Sequence, residues 1–110
     1  MTKDTKKVSA IEGFGDVVCS RDGGTIKTNV PRRITFHSPD GFEWGYGGSG
    51  PSDFALNILS LYIGQEAAEA GGLYQNFKFN FVATLPYEGG TIKREDVMHW
   101  LEGKRKGNNE

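Results

Sequence analysis

The segment formed by residues 41–63 most constrains how this chain can fold. It begins with five glycines interspersed with Trp44 and Tyr46, and it runs directly into an apolar helix that has Pro51 in its first turn. Glycines permit backbone conformations that other residues avoid, and they let a ligand approach the main chain closely. Exposed aromatic residues beside glycines are common in binding loops, so the candidate site is placed here.

The loop fails the established glycine motifs. Gly45, Gly47 and Gly50 have the spacing of a dinucleotide fingerprint, but a polar, turn-like segment precedes them where that motif needs a buried strand. No lysine follows the last glycine, as a Walker motif requires, and Pro51 stands where a nucleophile elbow needs glycine. The physical basis of anion binding remains, because free N–H groups and the positive dipole end at a helix start attract an anion.

Two residues at the helix start argue against an anion. Pro51 has no N–H to donate, while the carboxylate of Asp53 can satisfy the first-turn donors and would repel a phosphate. A purely structural reading is as well supported. In that reading the glycines make a tight crossover, and Trp44 and Tyr46 pack under the apolar helix.

Length and composition limit the function classes. A chain of 110 residues with one cysteine, Cys19, is expected to be one domain without an internal disulfide. Its 13 basic and 14 acidic residues give a net charge of −1, which argues against nucleic-acid or membrane partners held by bulk charge. There is no signal peptide or apolar run of membrane-spanning length, so we expect a cytoplasmic protein.

The first third of the chain predicts a small antiparallel sheet. Residues 1–7 form a polar, lysine-rich lead that is expected to be flexible. Short strands are predicted at residues 8–10, 16–20 and 25–27, with a hairpin turn at residues 21–24, and a last strand at residues 34–36.

Three helices are predicted after the loop. The first has apolar residues at helical spacing until Gly64 ends it, and residues 65–70 form a further helical turn. Residues 73–85 fit a strand through alternating phenylalanines or a helix, and their length favours the helix. The last helix begins near Lys93, and residues 103–110 form a polar tail. The fold class is therefore α+β, with a small N-terminal antiparallel β-sheet followed by three helices packed on it, in one domain at residues 8–102.

Other candidate chemistry is sparse. His37, His99 and Cys19 lack metal-ligand spacing, and no metal or cofactor is expected. His37 and Ser38 could serve as base and nucleophile, but such a run is more often turn chemistry. A catalytic role is therefore ranked last, and no catalytic residue is assigned.

Several runs of residues carry a family resemblance. The longest reads His-Ser-Pro-x-Gly-Phe-Glu-Trp-Gly-Tyr-Gly-Gly-Ser-Gly-Pro at residues 37–51, and shorter ones occur at 55–59, 74–78, 85–86 and 96–101. They resemble a family of small uncharacterised bacterial and phage proteins, a domain of unknown function. The resemblance covers residues 34–101. It implies a helix at residues 73–85, an α+β fold and a phage or mobile-element setting, but it supplies no activity. The chain departs from the family pattern mainly in its N-terminus and at residues 65–72.

The first functional hypothesis is a non-enzymatic binder of a phosphate-bearing or nucleotide-like small ligand. Backbone N–H groups of the glycine loop would hold the anion, aromatic rings would stack on a planar group, Glu43 would accept from a sugar or base, and an arginine would supply charge. Such a protein could sequester an immune nucleotide signal, as a homo-oligomer that buries the ligand. The candidate ligand-binding residues are Trp44, Tyr46, Gly47, Gly48, Ser49, Glu43, Arg32, Arg33 and His37.

The second hypothesis is an interaction protein. Here a phage inhibitor acts on a host defence protein, in the manner of an anti-CRISPR protein, and the loop with Trp44 and Tyr46 inserts into the partner as a hot spot.

Overall fold

The structure of the protein is a computed structural model that describes residues 6–38 and 40–108. Residues 1–5 of the predicted lead and residues 109–110 of the predicted tail lie outside the described residues. Within the described residues, three strands and four α-helices follow in the order β1 (Val17–Asp22), β2 (Thr25–Thr28), α1 (Ser49–Ile63), α2 (Gln65–Glu69), α3 (Leu73–Phe77), β3 (Gly89–Ile92) and α4 (Arg94–Asn108).

The three strands form one antiparallel sheet with β1 in the centre, in the order β2-β1-β3. The hairpin between β1 and β2 is tighter than predicted, since Arg21 and Asp22 belong to β1 and pair with Ile26 and Thr25. The third strand comes from residues 89–92, which the sequence does not mark as a strand. Gly89 is required there, because its φ is +103° and a Cβ would lie 2.2 Å from the carbonyl oxygen of Cys19. The predicted α+β class is confirmed.

Helix α1 is the centre of the core. All of its residues from Gly50 to Leu61 are buried, including the polar side chains of Asp53, Asn57 and Ser60. These three recur at positions i, i+4 and i+7, so they form one stripe along the helix. The apolar residues pack against the sheet and the other helices, while the polar stripe needs hydrogen-bonding partners because it is shielded from water.

The polar stripe binds the chain segment 33–38. The carboxylate of Asp53 accepts N–H groups of Phe36, His37 and Ser38 at 2.7–3.0 Å. Asn57 accepts the N–H groups of residues 33 and 34, and its amide nitrogen donates to the carbonyl of residue 34. The predicted strand at residues 34–36 is therefore wrong, because its backbone groups bond to side chains of α1 instead of to a neighbouring strand.

The prediction that the Asp53 carboxylate satisfies the N–H groups of the first helical turn is also wrong. Helix α1 begins at Ser49, after the N-cap residue Gly48, and no side chain caps this end. Pro51 is the third helical residue and so lies in the first turn, as predicted. The carboxylate of Asp53 points sideways to segment 33–38, so the first-turn N–H groups of α1 are not satisfied by it.

The helix predicted at residues 73–85 is confirmed, and the strand alternative is wrong. Helix α3 continues as a π-helical segment at Lys78–Val82. Helix α4 runs to Asn108, beyond the predicted start of the tail at residue 103. Its Trp100 ring packs edge-on against Phe77 and Phe81, with ring centroids 5.5 and 5.8 Å away.

The segment at residues 8–10 is no strand either. Val8 bonds to Gln65 through both its N–H and its carbonyl, and Ile11 donates to the carbonyl of Leu61. This part of the chain therefore lies along the end of α1, and Gly64, with a φ of +87°, reverses the chain into α2 there.

We expect Asp53→Asn to destabilise the protein by about 3 kcal/mol, because an amide offers one oxygen to three backbone N–H groups and carries no charge. Urea unfolding followed by circular dichroism measures the loss. Asp22→Asn is the matched control, since that carboxylate is exposed and pairs only with Lys27; its cost should stay below about 0.5 kcal/mol. Equal small losses for both variants would contradict the role given to Asp53.

Candidate functional site

A groove runs along the amino end of α1 and the loop that precedes it, and we call it the loop groove. One wall is the β2 hairpin with the chain that follows it, and the other is the 40–43 turn together with the start of α1. The groove has a volume of about 620 Å³ and is lined by Gly24, Ile26, Thr28, Val30, Arg32, Ser38, Asp40, Gly41, Phe42, Glu43, Tyr46, Ser49 and Gly50.

Four of the residues predicted from sequence meet in this groove: Arg32, Glu43, Tyr46 and Ser49. Arg32 is exposed and donates one hydrogen bond, from Nη2 to the carbonyl of Ser38 at 2.8 Å. Among the described residues no carboxylate forms an ion pair with it. Its remaining N–H groups can therefore serve an anion in the groove.

The Tyr46 ring offers an aromatic surface. Tyr46 is 52% exposed, and it lies against the backbone of Gly48, where a Cβ would come within 2.5 Å of its Cε2. Only a glycine at position 48 allows this approach. The loop backbone thus supports the ring on one side and leaves much of it accessible to a planar group.

Trp44 is in the core and does not line the groove. Its side chain is 2% exposed, its ring centroid is 5.7 Å from that of Phe54, and its Nε1 donates to the carbonyl of Tyr87 at 3.0 Å. The ring is therefore not available for stacking on a ligand. Trp44 therefore packs in the core, as in the structural reading in which both aromatic residues pack under the helix, whereas Tyr46 lies at the surface.

Glu43 is anchored by Arg21, a residue that the sequence analysis did not single out. Arg21 Nη2 donates to Glu43 Oε1 at 2.7 Å, and its Nε donates to the carbonyl of Tyr87 at 2.6 Å. The guanidinium carbon lies 4.6 Å from the Trp44 ring centroid and 4.0 Å from that of Tyr87. The hydrogen bond from Arg21 lowers the pKa of Glu43, so this carboxylate is ionised at neutral pH. Its charge holds the loop against the sheet.

Like Trp44, the predicted residues Arg33 and His37 do not line the groove. Arg33 bonds to the carbonyl of Ser9 and to Ser60 Oγ, so it fastens the chain to α1 and does not steer an anion. His37 Nε2 lies 2.5 Å from the hydroxyl of Tyr74. Burial raises the pKa of that tyrosine, which keeps its hydroxyl protonated.

Gly47 and Gly48 form the outer turn of the loop. A Cβ on Gly47 would lie 3.1 Å from the Phe79 ring, so the π-helical segment closes one side of this turn. The sequence did not mark Phe79 or its neighbour Lys78 as site residues. The alternating phenylalanines there supported only the strand alternative, and Phe79, which the apolar face of the predicted helix did not include, is 59% exposed.

The electrostatics of the loop groove are mixed. Arg32 and the uncapped end of α1 favour an anion, while Asp40 and the ionised Glu43 favour hydroxyl or amino donors. The groove therefore holds both anion-binding groups and hydrogen-bond acceptors. Within the described residues no group of three or more histidine, cysteine or acidic side chains could hold a metal ion. Among them, no helix is long and apolar enough to cross a membrane.

A second groove, of about 670 Å³, lies between the end of α1, α3 and α4. Its floor is apolar, with Ile63, Leu73, Met98 and Leu101. None of the residues predicted from sequence lines it, and its polar rim places Glu102 beside Arg105, so the rim charges are largely paired.

Comparison with known proteins gives a family without a function. The model of the family described as "Family of unknown function (DUF6166)" matches residues 10–103. No curated protein and no solved structure matches the chain.

The ion pair of Glu43 predicts a pH dependence. Its folded-state pKa lies below the ordinary value of 4.5, so its stabilising contribution is complete above that value and is lost as the pH falls through the folded-state pKa. We expect Glu43→Gln to cost about 1 kcal/mol at pH 7, a figure reduced by the partial exposure of the pair. The difference from the unsubstituted protein should shrink as the pH falls below 4.5 and through the folded-state pKa.

Chemical unfolding of both proteins from pH 3 to pH 8 measures this difference. Glu102→Gln is the control, since Glu102 pairs with an exposed arginine on α4. A difference at Glu43 that stayed constant over the whole pH range would show that the charge does not hold the loop.

Proposed function

We propose that this chain, which belongs to the family of unknown function DUF6166, is a non-enzymatic binder of a small phosphate-bearing, nucleotide-like ligand. One observation carries the proposal: an exposed aromatic ring, an arginine with an anion-binding face and the start of a long helix line one cavity of about 620 Å³. Small-molecule sites have cavities of this volume with a few polar groups of this kind.

Each part of such a ligand has a group to bind it. The Tyr46 ring stacks on the planar base, and Arg32 pairs with the phosphate. Ser49 adds its hydroxyl and the positive end of the α1 dipole. Glu43 Oε2 has only a long contact of 3.4 Å with Arg21, so it can accept a hydrogen bond from the base or the sugar.

The biological setting belongs to the same proposal. The protein is encoded by a bacteriophage or mobile element, and it acts in the bacterial cytoplasm by sequestering a nucleotide signal of host immunity. The loop groove is open on one side, so a second copy placed over it would enclose the ligand. A homo-oligomer is therefore the proposed binding form.

Native mass spectrometry of protein purified gently from cells tests the proposal. We expect an oligomer with an added mass of nucleotide size, and chromatography of the released compound then identifies it. A ligand-free monomer, with no binding of any nucleotide in a calorimetric screen, would overturn the proposal.

Substitutions in the groove should weaken the binding of that compound. We expect Tyr46→Ala to lower affinity about tenfold or more through lost stacking, and Arg32→Gln to lower it about tenfold through the lost charged hydrogen bond. Tyr46→Phe keeps the ring and should bind nearly normally. Isothermal titration calorimetry measures all three. Arg105→Gln is the control, because this arginine lies on α4 and outside the loop groove.

A second candidate function is supported by the exposed aromatic residues beside the loop. Tyr46 and Phe79 are 52% and 59% exposed, and they contact the neighbouring glycines Gly48 and Gly47. Large aromatic side chains at the centre of a surface patch are typical of binding hot spots. In this alternative the patch docks on a host defence protein and inhibits it.

The alternative predicts a different result for the same variant. Tyr46→Ala should reduce affinity for the captured host protein by about thirtyfold, while the purified protein carries no added mass. A pull-down from host lysate followed by interferometry measures this. Phe36→Ala is the matched control, since Phe36 is 58% exposed but packs on His37 and not on the glycine loop. Equal losses for both variants would argue against a hot spot at Tyr46.

A further inference from the structure

The second groove, between the end of α1, α3 and α4, has an apolar floor that is open to solvent. We call it the α4 groove, and its volume is about 670 Å³. The four hydrophobic side chains of the floor are half-buried: Ile63, Leu73, Met98 and Leu101. They pack on the core and also line the groove. The groove has the volume of a small-molecule site, and covering its floor with an apolar ligand would be favourable.

Helix α4 places a cation at the end of an apolar row. Met98, Leu101 and Lys104 line the groove and follow one another at intervals of three residues, so they are neighbours along the surface of the helix. The rise of the helix puts Lys104 about 9 Å beyond Met98. The lining of the α4 groove therefore changes along α4 from apolar to positively charged.

The ammonium of Lys104 has no acidic partner. Among the described residues no carboxylate forms an ion pair with its Nζ. Glu102 also lines the groove, but its carboxylate pairs with Arg105 at 2.9 Å. The Lys104 Nζ lies 5.4 Å from the centroid of the Trp100 ring, and the side chain is half-buried. One positive charge of the groove is therefore left for an external anion.

We propose that the α4 groove binds a small amphipathic anion, an unbranched apolar chain with one carboxylate head group. The chain would cover Leu73, Met98 and Leu101, and the carboxylate would pair with Lys104 Nζ. A chain suits this floor because its apolar positions follow one another along α4. The flexible thioether of Met98 can adjust to such a chain.

This site is separate from the loop groove, since no residue lines both. The proposal therefore goes beyond the function proposed above and does not depend on it. Tyr46→Ala, which should weaken binding in the loop groove, should leave binding in the α4 groove unchanged. The two proposals can thus fail independently.

Decanoate is the probe, titrated by calorimetry below the concentration at which it forms micelles. We expect saturable binding of one decanoate per chain, with a change in Trp100 fluorescence because the head group would lie beside Lys104. Butanoate should bind about fiftyfold more weakly, because its short chain covers less of the floor. Decanol has no charge to pair with Lys104 and should bind about tenfold more weakly.

Two variants separate the charge from the apolar floor. Lys104→Gln should lower the affinity for decanoate about tenfold and leave that for decanol unchanged. Leu101→Gln should weaken both ligands about tenfold. Lys93→Gln is the matched control, because Lys93 is exposed, precedes α4 and does not line the groove. Circular dichroism checks folding, and Met98→Gln replaces Leu101→Gln if that variant does not fold.

Three results would overturn the proposal. One is the absence of saturable decanoate binding, and another is an equal loss of affinity in the Lys104 and Lys93 variants. The third is a dimer that Leu101→Gln dissociates in gel filtration while decanoate does not bind, since the α4 groove would then be the contact with a second copy of the chain.

Discussion

The hydrogen bonds from segment 36–38 to the Asp53 carboxylate are the interaction on which the site depends. This segment has no strand to pair with, and its N–H groups would be unsatisfied without the acceptors on α1. Asn57 continues the same arrangement at residues 33 and 34. By fixing the chain from residue 33 to residue 38, the polar stripe of α1 also fixes the residues on either side, so Arg32 and the 40–43 turn face one another across the loop groove.

The loop itself is fixed by a second set of contacts, centred on Arg21. Its guanidinium lies against the Trp44 and Tyr87 rings and bonds to Glu43, so the residues before the glycines are tied to the sheet. The outer turn at Gly47 and Gly48 lies beyond these contacts, against the rings of Phe79 and Tyr46. Because the residues before Tyr46 are already held in place, a ligand that bound to this ring would cause a smaller loss of conformational entropy in the loop.

Much of the fold could be predicted from the sequence because local rules agreed with the tertiary structure there. The end of α1 at Gly64, the helix at residues 73–82 and the start of α4 all follow from periodicity and breaker residues. The errors have a common cause. Strand β3, the irregular segment 33–38 and the position of Trp44 are decided by partners distant in sequence, such as Cys19 with Gly90 or Asp53 with Phe36. The same holds for Arg21 and Lys78, whose surroundings no spacing rule reveals.

The first turn of α1 shows how one helix end can hold opposite charges for different purposes. The Asp53 carboxylate accepts N–H groups of segment 36–38, and Lys78 donates to Ser52; among the described residues the two form no ion pair. Hydrogen bonds from neutral N–H groups leave the negative charge of Asp53 in place, so the first turn of α1 is contacted by two buried side chains of opposite charge. Each charge offsets part of the cost of burying the other through the low-dielectric interior, while the hydrogen bonds of Asp53 remain with segment 36–38.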